Sequence, residues 1–162
     1  LTKVSAIVPG AASRAGSVSK GLAALPSRAR WVMIHDGARP CVTRRLIETA
    51  VREAKRCGAV ACGLPASLTV KVVDERHAVR LTLDRDQLWF VQTPQVFRRD
   101  WLEMAVEQAD GTLERFPDDA ALVEQLGVGV RMIPGDPLNL KVTTRDDVLL
   151  AEHILKSRGH RA

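Results

Sequence analysis

The chain has 162 residues, 46% of them apolar, with only 4% aromatic and no Tyr. That length suits one domain with a real core, and the scarcity of aromatics points to Ala, Val, Leu and Ile filling it, as where helices pack on a sheet. The net charge is +5, from 24 Lys and Arg against 19 Asp and Glu; the arginines are dispersed and no basic stripe with stacking aromatics appears, which excludes a typical nucleic-acid surface and favours a phosphate-binding small-molecule site.

Cys41, Cys57 and Cys62 form no CxxC pair and no metal spacing, so they are expected to be free core thiols in a reducing, cytoplasmic compartment. No apolar run approaches membrane-spanning length, and none of these residues reads as a signal peptide. The chain opens on Leu1 rather than Met, which suggests that the start of the natural protein is missing.

Along the chain, Val4–Val8 is a short β-branched run ending in Pro9-Gly10, predicted as a strand and turn. Ser17–Leu25 reads as a helix capped by Ser17 and stopped before Pro26. Trp31–Ile34 is a second strand. Thr43–Cys57 is an amphipathic helix with Leu46, Ile47, Ala50, Val51 and Ala54 on one face, ended by Gly58. Val60–Leu64 is a third strand. Thr69–Val73 and Val79–Leu83 flank the polar Asp74-Glu75-Arg76-His77, which predicts a half-exposed β-hairpin. Leu88–Val91 resumes the core as a strand, followed by helices at Arg99–Ala109 and Asp118–Leu126, a strand at Val128–Ile133 and a helix at Thr144–Lys156. Thr144 and Asp147 form a capping-box-like start to that last helix. The alternation implies one α/β domain over residues 1–162, a mainly parallel sheet covered on both faces, with ligands beyond the carboxyl ends of the strands.

Four strand-end segments carry candidate chemistry. In His35-Asp36-Gly37-Ala38-Arg39-Pro40, Asp36 can hold a cation or a sugar hydroxyl, Gly37 admits a ligand to the backbone, and Arg39 can fork onto phosphate oxygens; the same residues also suit a turn with a surface ion pair. The stretch Pro9–Ser17 joins a strand to a helix N-terminus, a natural anion site, although Ser17 can be a cap only. In Trp89–Gln95, Thr93 and Gln95 either donate to a ligand or cap the next element. In Asn139-Leu140-Lys141-Val142-Thr143, Lys141 either snorkels to the surface or points into a site. His35, His77, His153 and His160 have no metal-ligand spacing.

In order and spacing, Arg14-Ala15-Gly16-Ser17-Val18, HDGARP at 35–40, Pro65 with Thr69-Val70-Lys71, Asp84-Arg85, TPQ at 93–95, DDA at 118–120 and NLKVT at 139–143 together resemble the cytidylyltransferase family that acts on methylerythritol phosphate in isoprenoid synthesis. The resemblance implies an α/β fold, a Rossmann-like nucleotidyltransferase three-layer sheet with helices on both faces and a protruding β-hairpin dimerisation arm at about 66–86. It implies transfer of CMP from CTP to 2-C-methyl-D-erythritol 4-phosphate, with Mg2+. By position, Arg85 and Lys141 match the catalytic residues that orient the methylerythritol phosphate; Thr69, Thr93, Asp36 and Arg39 match substrate-site residues; Ser17 and Gly37 match cytidine or ribose contacts; and Asp36 is the candidate metal ligand. In the family the arm crosses to a second subunit, so the resemblance implies a homodimer in which Thr69 and Arg85 serve the partner's site.

The sequence departs from the family at Ala11, Ala12, Leu68 and Pro117. The family's Gly-rich loop with the Arg and Lys that bind the CTP triphosphate has no counterpart in these residues, so the domain is expected to be N-terminally incomplete and the fragment to bind CTP poorly. Two alternatives follow, a ribitol 5-phosphate cytidylyltransferase, disfavoured by Ala38 where that enzyme usually has Val, and a catalytically silent binding module.

Overall fold

The computed structural model describes residues 3–109 and 111–159; His160 lies outside them. Its elements, in chain order, are α1 (Arg14–Ala23), β1 (Trp31–Ile34), α2 (Arg44–Cys57), β2 (Ala59–Pro65), β3 (Lys71–Val73), β4 (Val79–Thr82), β5 (Trp89–Arg98), α3 (Arg99–Gln108), α4 (Asp119–Glu124), β6 (Arg131–Pro134) and α5 (Arg145–Gly159). Short 3-10 turns occupy Arg85–Gln87 and Leu113–Arg115.

Four strands form the central sheet in the order β1-β5-β2-β6. The predicted α/β class holds, but the predicted pairing does not. β5 runs antiparallel to both β1 and β2, and only β2 and β6 pair in parallel. The reason is visible around residues 66–88. The hairpin replaces the crossover helix that a parallel neighbour would need, so the chain returns to the sheet in the opposite sense.

Alternation along the central strands feeds two cores, one on each sheet face. Ala59, Ala61 and Phe97 point to the side covered by α1, α3 and α4, where Leu22, Leu102, Ala105, Leu122 and Val123 meet them. Val60, Cys62 and Val96 point to the side covered by α2, where Leu46, Ala50 and Ala54 recur every fourth residue. Fully buried alanines let helix and sheet backbones approach closely. Phe97 is the largest fully buried side chain, and truncating it to Ala is expected to cost ~3–5 kcal/mol. Burial pushes the Cys62 thiol up to about 12, so that group is inert. α5 is anchored to the segment before α2, where Ala151 is buried, its carbonyl accepts from the Cys41 thiol and Arg158 donates to the Cys41 carbonyl.

Several boundaries differ from the sequence reading for identifiable reasons. Val4–Val8 is not a strand: every residue there is exposed and none pairs in a ladder with another strand of the described residues, without which a β-branched run has nothing to pack on. α1 begins at Arg14 rather than Ser17, because Ser13 accepts the Gly16 N–H and takes the cap. β5 does not stop at Val91; it continues to Arg98, and its buried part is Gln92–Phe97. α4 is shorter than predicted, with Asp118 as its cap, and β6 starts at Arg131 rather than Val128. Gly58 sits at φ 93 and ends α2 as expected. At the start of α5, Asp147 accepts from the Thr143 and Thr144 N–H groups at 2.9 and 2.8 Å, and its own N–H donates to the Thr144 hydroxyl, the predicted capping pattern.

The hairpin forms as predicted, with Lys71 opposite Thr82 and Val72 opposite Leu81. Asp74 closes its turn by accepting from the Arg76 and Ala78 N–H groups, both at 2.9 Å. The sequence predicts it to be half-exposed; instead every residue of β3 and β4 is exposed, because the two strands pair only with each other as a separate two-stranded sheet.

Candidate active site

The cleft forms where β1 ends. Asp36 lies two residues beyond Ile34, and β5, running the other way, brings Gln92 and Thr93 level with it, since Ile34 pairs with Gln95. Antiparallel pairing thus puts mid-strand polar residues at the same edge as a strand terminus, where the sequence reading had a strand ending. The loop before α5 closes a third side, with Val142 N–H donating to the Ala38 carbonyl at 2.7 Å. The open cleft between them has a volume of about 410 Å3.

Three cations converge on Asp36. Lys141 Nζ is 3.2 Å and Arg39 Nε 3.3 Å from Oδ2, and Arg14 Nε is 3.9 Å from Oδ1. Burial alone pushes the Asp36 carboxyl up, but the hydrogen bonds and charges of Lys141 and Arg39 outweigh it and hold it below its ordinary value. Lys141 is 45% exposed, so its side chain reaches into the cleft while remaining open to a ligand. Arg14 also pairs with Asp119, which is buried. Burial raises the Asp119 carboxyl above its usual range, and the Arg14 hydrogen bond and charge offset only part of that.

Behind these groups lies a chain of hydrogen bonds that fixes them. Arg39 donates Nη1–H to the Asn139 carbonyl at 2.9 Å, and buried Asn139 donates Nδ2–H to the Thr93 carbonyl at 2.8 Å. His35 Nε2 lies 3.1 Å from the Arg39 carbonyl, and a carbonyl only accepts, so that nitrogen carries a proton. In the neutral ring Nδ1 then accepts from the Thr93 hydroxyl, 3.0 Å away, and the same hydroxyl accepts the Asp36 N–H at 2.9 Å. Gln95 does the same for the opposite wall: its amide donates to Asp118 at 2.8 Å and accepts the Ala120 N–H at 3.0 Å, tying β5 to the start of α4. Gln92 pairs with the Asp136 backbone in both directions. At Gly135 a side chain would strike the Gln92 amide and the Gly63 carbonyl, so the close approach of that loop needs a residue without Cβ.

Of the residues singled out from the sequence, the structure brings Asp36, Arg39, Thr93 and Lys141 together. Thr93 is buried, with its hydroxyl engaged by Asp36 and His35. Gly37 is exposed beside Asp36, with open space where a Cβ would be. Ser17 sits on α1 outside the cleft walls, its hydroxyl donating to the Ser13 carbonyl and accepting the Ala11 N–H, both at 2.9 Å. Thr69 and Arg85 belong to the arm; Arg85 is exposed and donates to the Ser67 carbonyl at 3.1 Å, away from the Asp36 cluster. The third cation of the cleft is Arg14 instead. Sequence reading quoted Arg14, Asn139, Asp118 and Asp119 within motifs and Gln95 as a donor or cap, but gave them no site role, because their partners stand 23 to 105 residues away.

Among the described residues no group of three or more His, Cys, Asp or Glu could hold a metal. Asp36 is the carboxylate that Lys141 and Arg39 both engage. A single such carboxylate fits Mg2+, which is usually held by one or two carboxylates together with substrate phosphates.

An α/β sheet covered on both faces, with paired cations and a carboxylate beyond a strand end, is the arrangement a nucleotidyltransferase-type enzyme needs to bind phosphate-bearing substrates. The profile of the 2-C-methyl-D-erythritol 4-phosphate cytidylyltransferase family matches residues 1–157. Proteins of that name from Syntrophus aciditrophicus and Desulforamulus reducens are 41% and 43% identical to 99% and 97% of this chain, which spans 69% and 67% of their lengths. The crystal structure of that enzyme from Thermus thermophilus superposes with a TM-score of 0.83 at 34% identity, covering 92% of this chain and 72% of that one. A 4-diphosphocytidyl-2C-methyl-D-erythritol synthase from Anaerococcus prevotii gives a TM-score of 0.84 at 29% identity, covering 92% and 69%. The chain belongs to the 2-C-methyl-D-erythritol 4-phosphate cytidylyltransferase family.

Proposed function

We propose that this protein transfers CMP from CTP to 2-C-methyl-D-erythritol 4-phosphate, releasing pyrophosphate, as a step of non-mevalonate isoprenoid synthesis. The observation that carries this reading is the convergence of Arg39 and Lys141 on Asp36 in one cleft. In the reaction a phosphate oxygen of the acceptor attacks the α-phosphorus of CTP. The new P–O bond forms as the bond to the β-phosphate oxygen breaks, and that oxygen leaves with pyrophosphate. No covalent bond to the protein is needed; two polyanions must be brought together and held in line.

Lys141 and Arg39 are suited to that task, since each can exchange its contact with Asp36 for a phosphate oxygen. Asp36, kept ionised by them, would hold Mg2+, which on binding neutralises triphosphate charge. Gly37 leaves the backbone open to the nucleotide. Thr93 holds the Asp36 N–H and so sets where that carboxylate lies.

Arg85 and Thr69 act from the arm. Val72, Val79 and Leu81 are 42%, 60% and 54% exposed there, an apolar ribbon suited to a second copy of the chain. We therefore read the protein as a homodimer in which each arm supplies Arg85 and Thr69 to the partner's cleft. No helix among the described residues is long and apolar enough to cross a membrane, and the three thiols are free, in keeping with a cytoplasmic enzyme.

The test is pyrophosphate release from CTP and Mg2+ with either methylerythritol phosphate or ribitol 5-phosphate as acceptor. Release with the first is expected. Release with ribitol phosphate alone would overturn the acceptor, and none with either would overturn the activity.

A further inference from the structure

A larger cavity, about 830 Å3, opens at the other end of the sheet. β1 enters there at Trp31, opposite Arg98 of β5, whereas Asp36 lies past the far end of β1. Three segments build the cavity: the loop into β1, the end of α2, and the passage from β5 into α3. They contribute Arg30, Lys55, Arg56, Arg98 and Arg99, against only Asp100 and Glu103.

The wall is ordered by a stacked pair. The Arg98 guanidinium lies 5.0 Å from the centre of the Trp101 ring, and Trp101 rests on Gly58, where any side chain would collide with the indole. Arg98 and Arg99 are tied to Asp100 and Glu103, and Arg99 also donates to the Pro26 carbonyl. Arg56 reaches Glu53 only at 3.8 Å. The Arg30 and Lys55 side chains have no partner among the described residues. Lys55 and Arg56 are explained in part by the carboxyl end of α2, which favours cations. That account fails for Arg98 and Arg99, which stand at the amino end of α3, where positive charge is disfavoured.

We propose that this cavity is a second anion site, separate from the cleft at Asp36, and that it takes a small ligand bearing a polyphosphate group. Its volume matches small-molecule sites. Arg98 and Arg99 are matched by Asp100 and Glu103, which leaves Arg30, Lys55 and the loosely held Arg56 on two separate segments; a chain of phosphates can reach both, where a single phosphate would meet one. The polyphosphate can come from an inorganic chain or from the tail of a nucleotide.

The test uses calorimetric titration of the full chain with sodium tripolyphosphate, with Trp fluorescence read in parallel. Because CTP chemistry belongs to the Asp36 cleft, the decisive background is Lys141→Ala. A saturable site that persists in Lys141→Ala and weakens by about tenfold or more when Arg30→Gln and Lys55→Gln are added is the expected result. Both added changes are at exposed, unpaired side chains, and far-UV circular dichroism checks the fold; Lys55→Gln alone is the milder variant and is expected to give a smaller loss in the same direction. Equal affinity for tripolyphosphate and CTP in the Lys141→Ala background assigns the inorganic chain, and tighter CTP binding assigns a nucleotide. Unchanged affinity in the Arg30→Gln, Lys55→Gln protein, or loss of all binding in Lys141→Ala, overturns the proposal. So does a single-stranded oligonucleotide or acidic peptide that displaces tripolyphosphate at lower concentration.

Discussion

Around Asp36 nearly every polar group is held by another from the same chain: Thr93 by His35 and Asp36, Asn139 by Arg39 and the Thr93 backbone, Gln95 by Asp118 and Ala120. Between Lys71 and Thr82 the opposite holds, since two short strands pair only with each other and show valines and a leucine to solvent on both faces. The cleft is preorganised by the fold, so its side chains cost little to hold in place when a ligand arrives. The arm has no such support within one chain, and two strands alone are marginal in water. A residue such as Arg85 gains a fixed position only if something packs on the ribbon.

The largest effects should come from removing charge on either side of this divide. Lys141→Ala is expected to lower turnover ~100- to 1,000-fold, the usual loss for one group that stabilises transition-state charge, with little change in melting because Lys141 is half in solvent. Arg85→Ala should fall comparably although it stands outside the cleft of its own chain. Mixing the two variants sharpens the contrast. If arms cross, a random mixture regains about a quarter of the wild-type rate, because half of the dimers carry one intact site of two. A mixture no more active than its components would mean that each chain uses its own Arg85.

A second approach attacks the ribbon without touching a charge. Leu81→Ser removes an apolar contact that a two-fold interface would use twice, so the dimer dissociation constant should rise by about a hundredfold or more. Light scattering against concentration reads this directly. An unshifted monomer–dimer balance would remove the arm from the interface.

The same contrast explains what the sequence disclosed. HDGARP, TPQ, DDA and NLKVT were legible as motifs, and the hairpin as an interruption, because turn chemistry and period-two alternation are local. Arg39 was a candidate phosphate ligand from its loop alone, whereas Lys141 could equally snorkel to the surface and gained its site role from the resemblance. Arg14 gained none, because its role depends on Asp119, a residue 105 positions away that folding brings alongside. Nor was the antiparallel run of β5 legible: its polar Gln92, Thr93 and Gln95 read as the end of a strand, and strand composition does not disclose direction. Val4–Val8 shows the converse, a run with strand composition that has no ladder to join.

Gln95 probes the cleft side alone. It is 1% exposed, and Gln95→Ala would leave the Asp118 carboxylate and the Ala120 N–H without their partner, an expected loss of ~2–4 kcal/mol in denaturant unfolding. Destabilisation below the error of the measurement would show that α4 holds its position without β5.

The smallest expected effect tests the anchor behind Lys141. Asp147 caps α5 with its carboxylate, and the donated backbone N–H groups of Thr143 and Thr144 lower its pKa to about 2. A carboxyl whose folded pKa lies below its unfolded value binds fewer protons in the native state. Its contribution is therefore complete above the ordinary carboxylate range of about 4 and is lost as pH falls toward 2. Asp147→Asn should flatten stability against pH across that window while leaving the slope above it unchanged, as read by thermal melts at successive pH values. Because the capped loop runs directly into Val142, whose N–H holds the Ala38 carbonyl, the same variant should loosen Lys141 before it loosens the core. An unaltered pH dependence would place the control of that loop elsewhere, in the Ala38 and Arg39 contacts rather than in the helix cap.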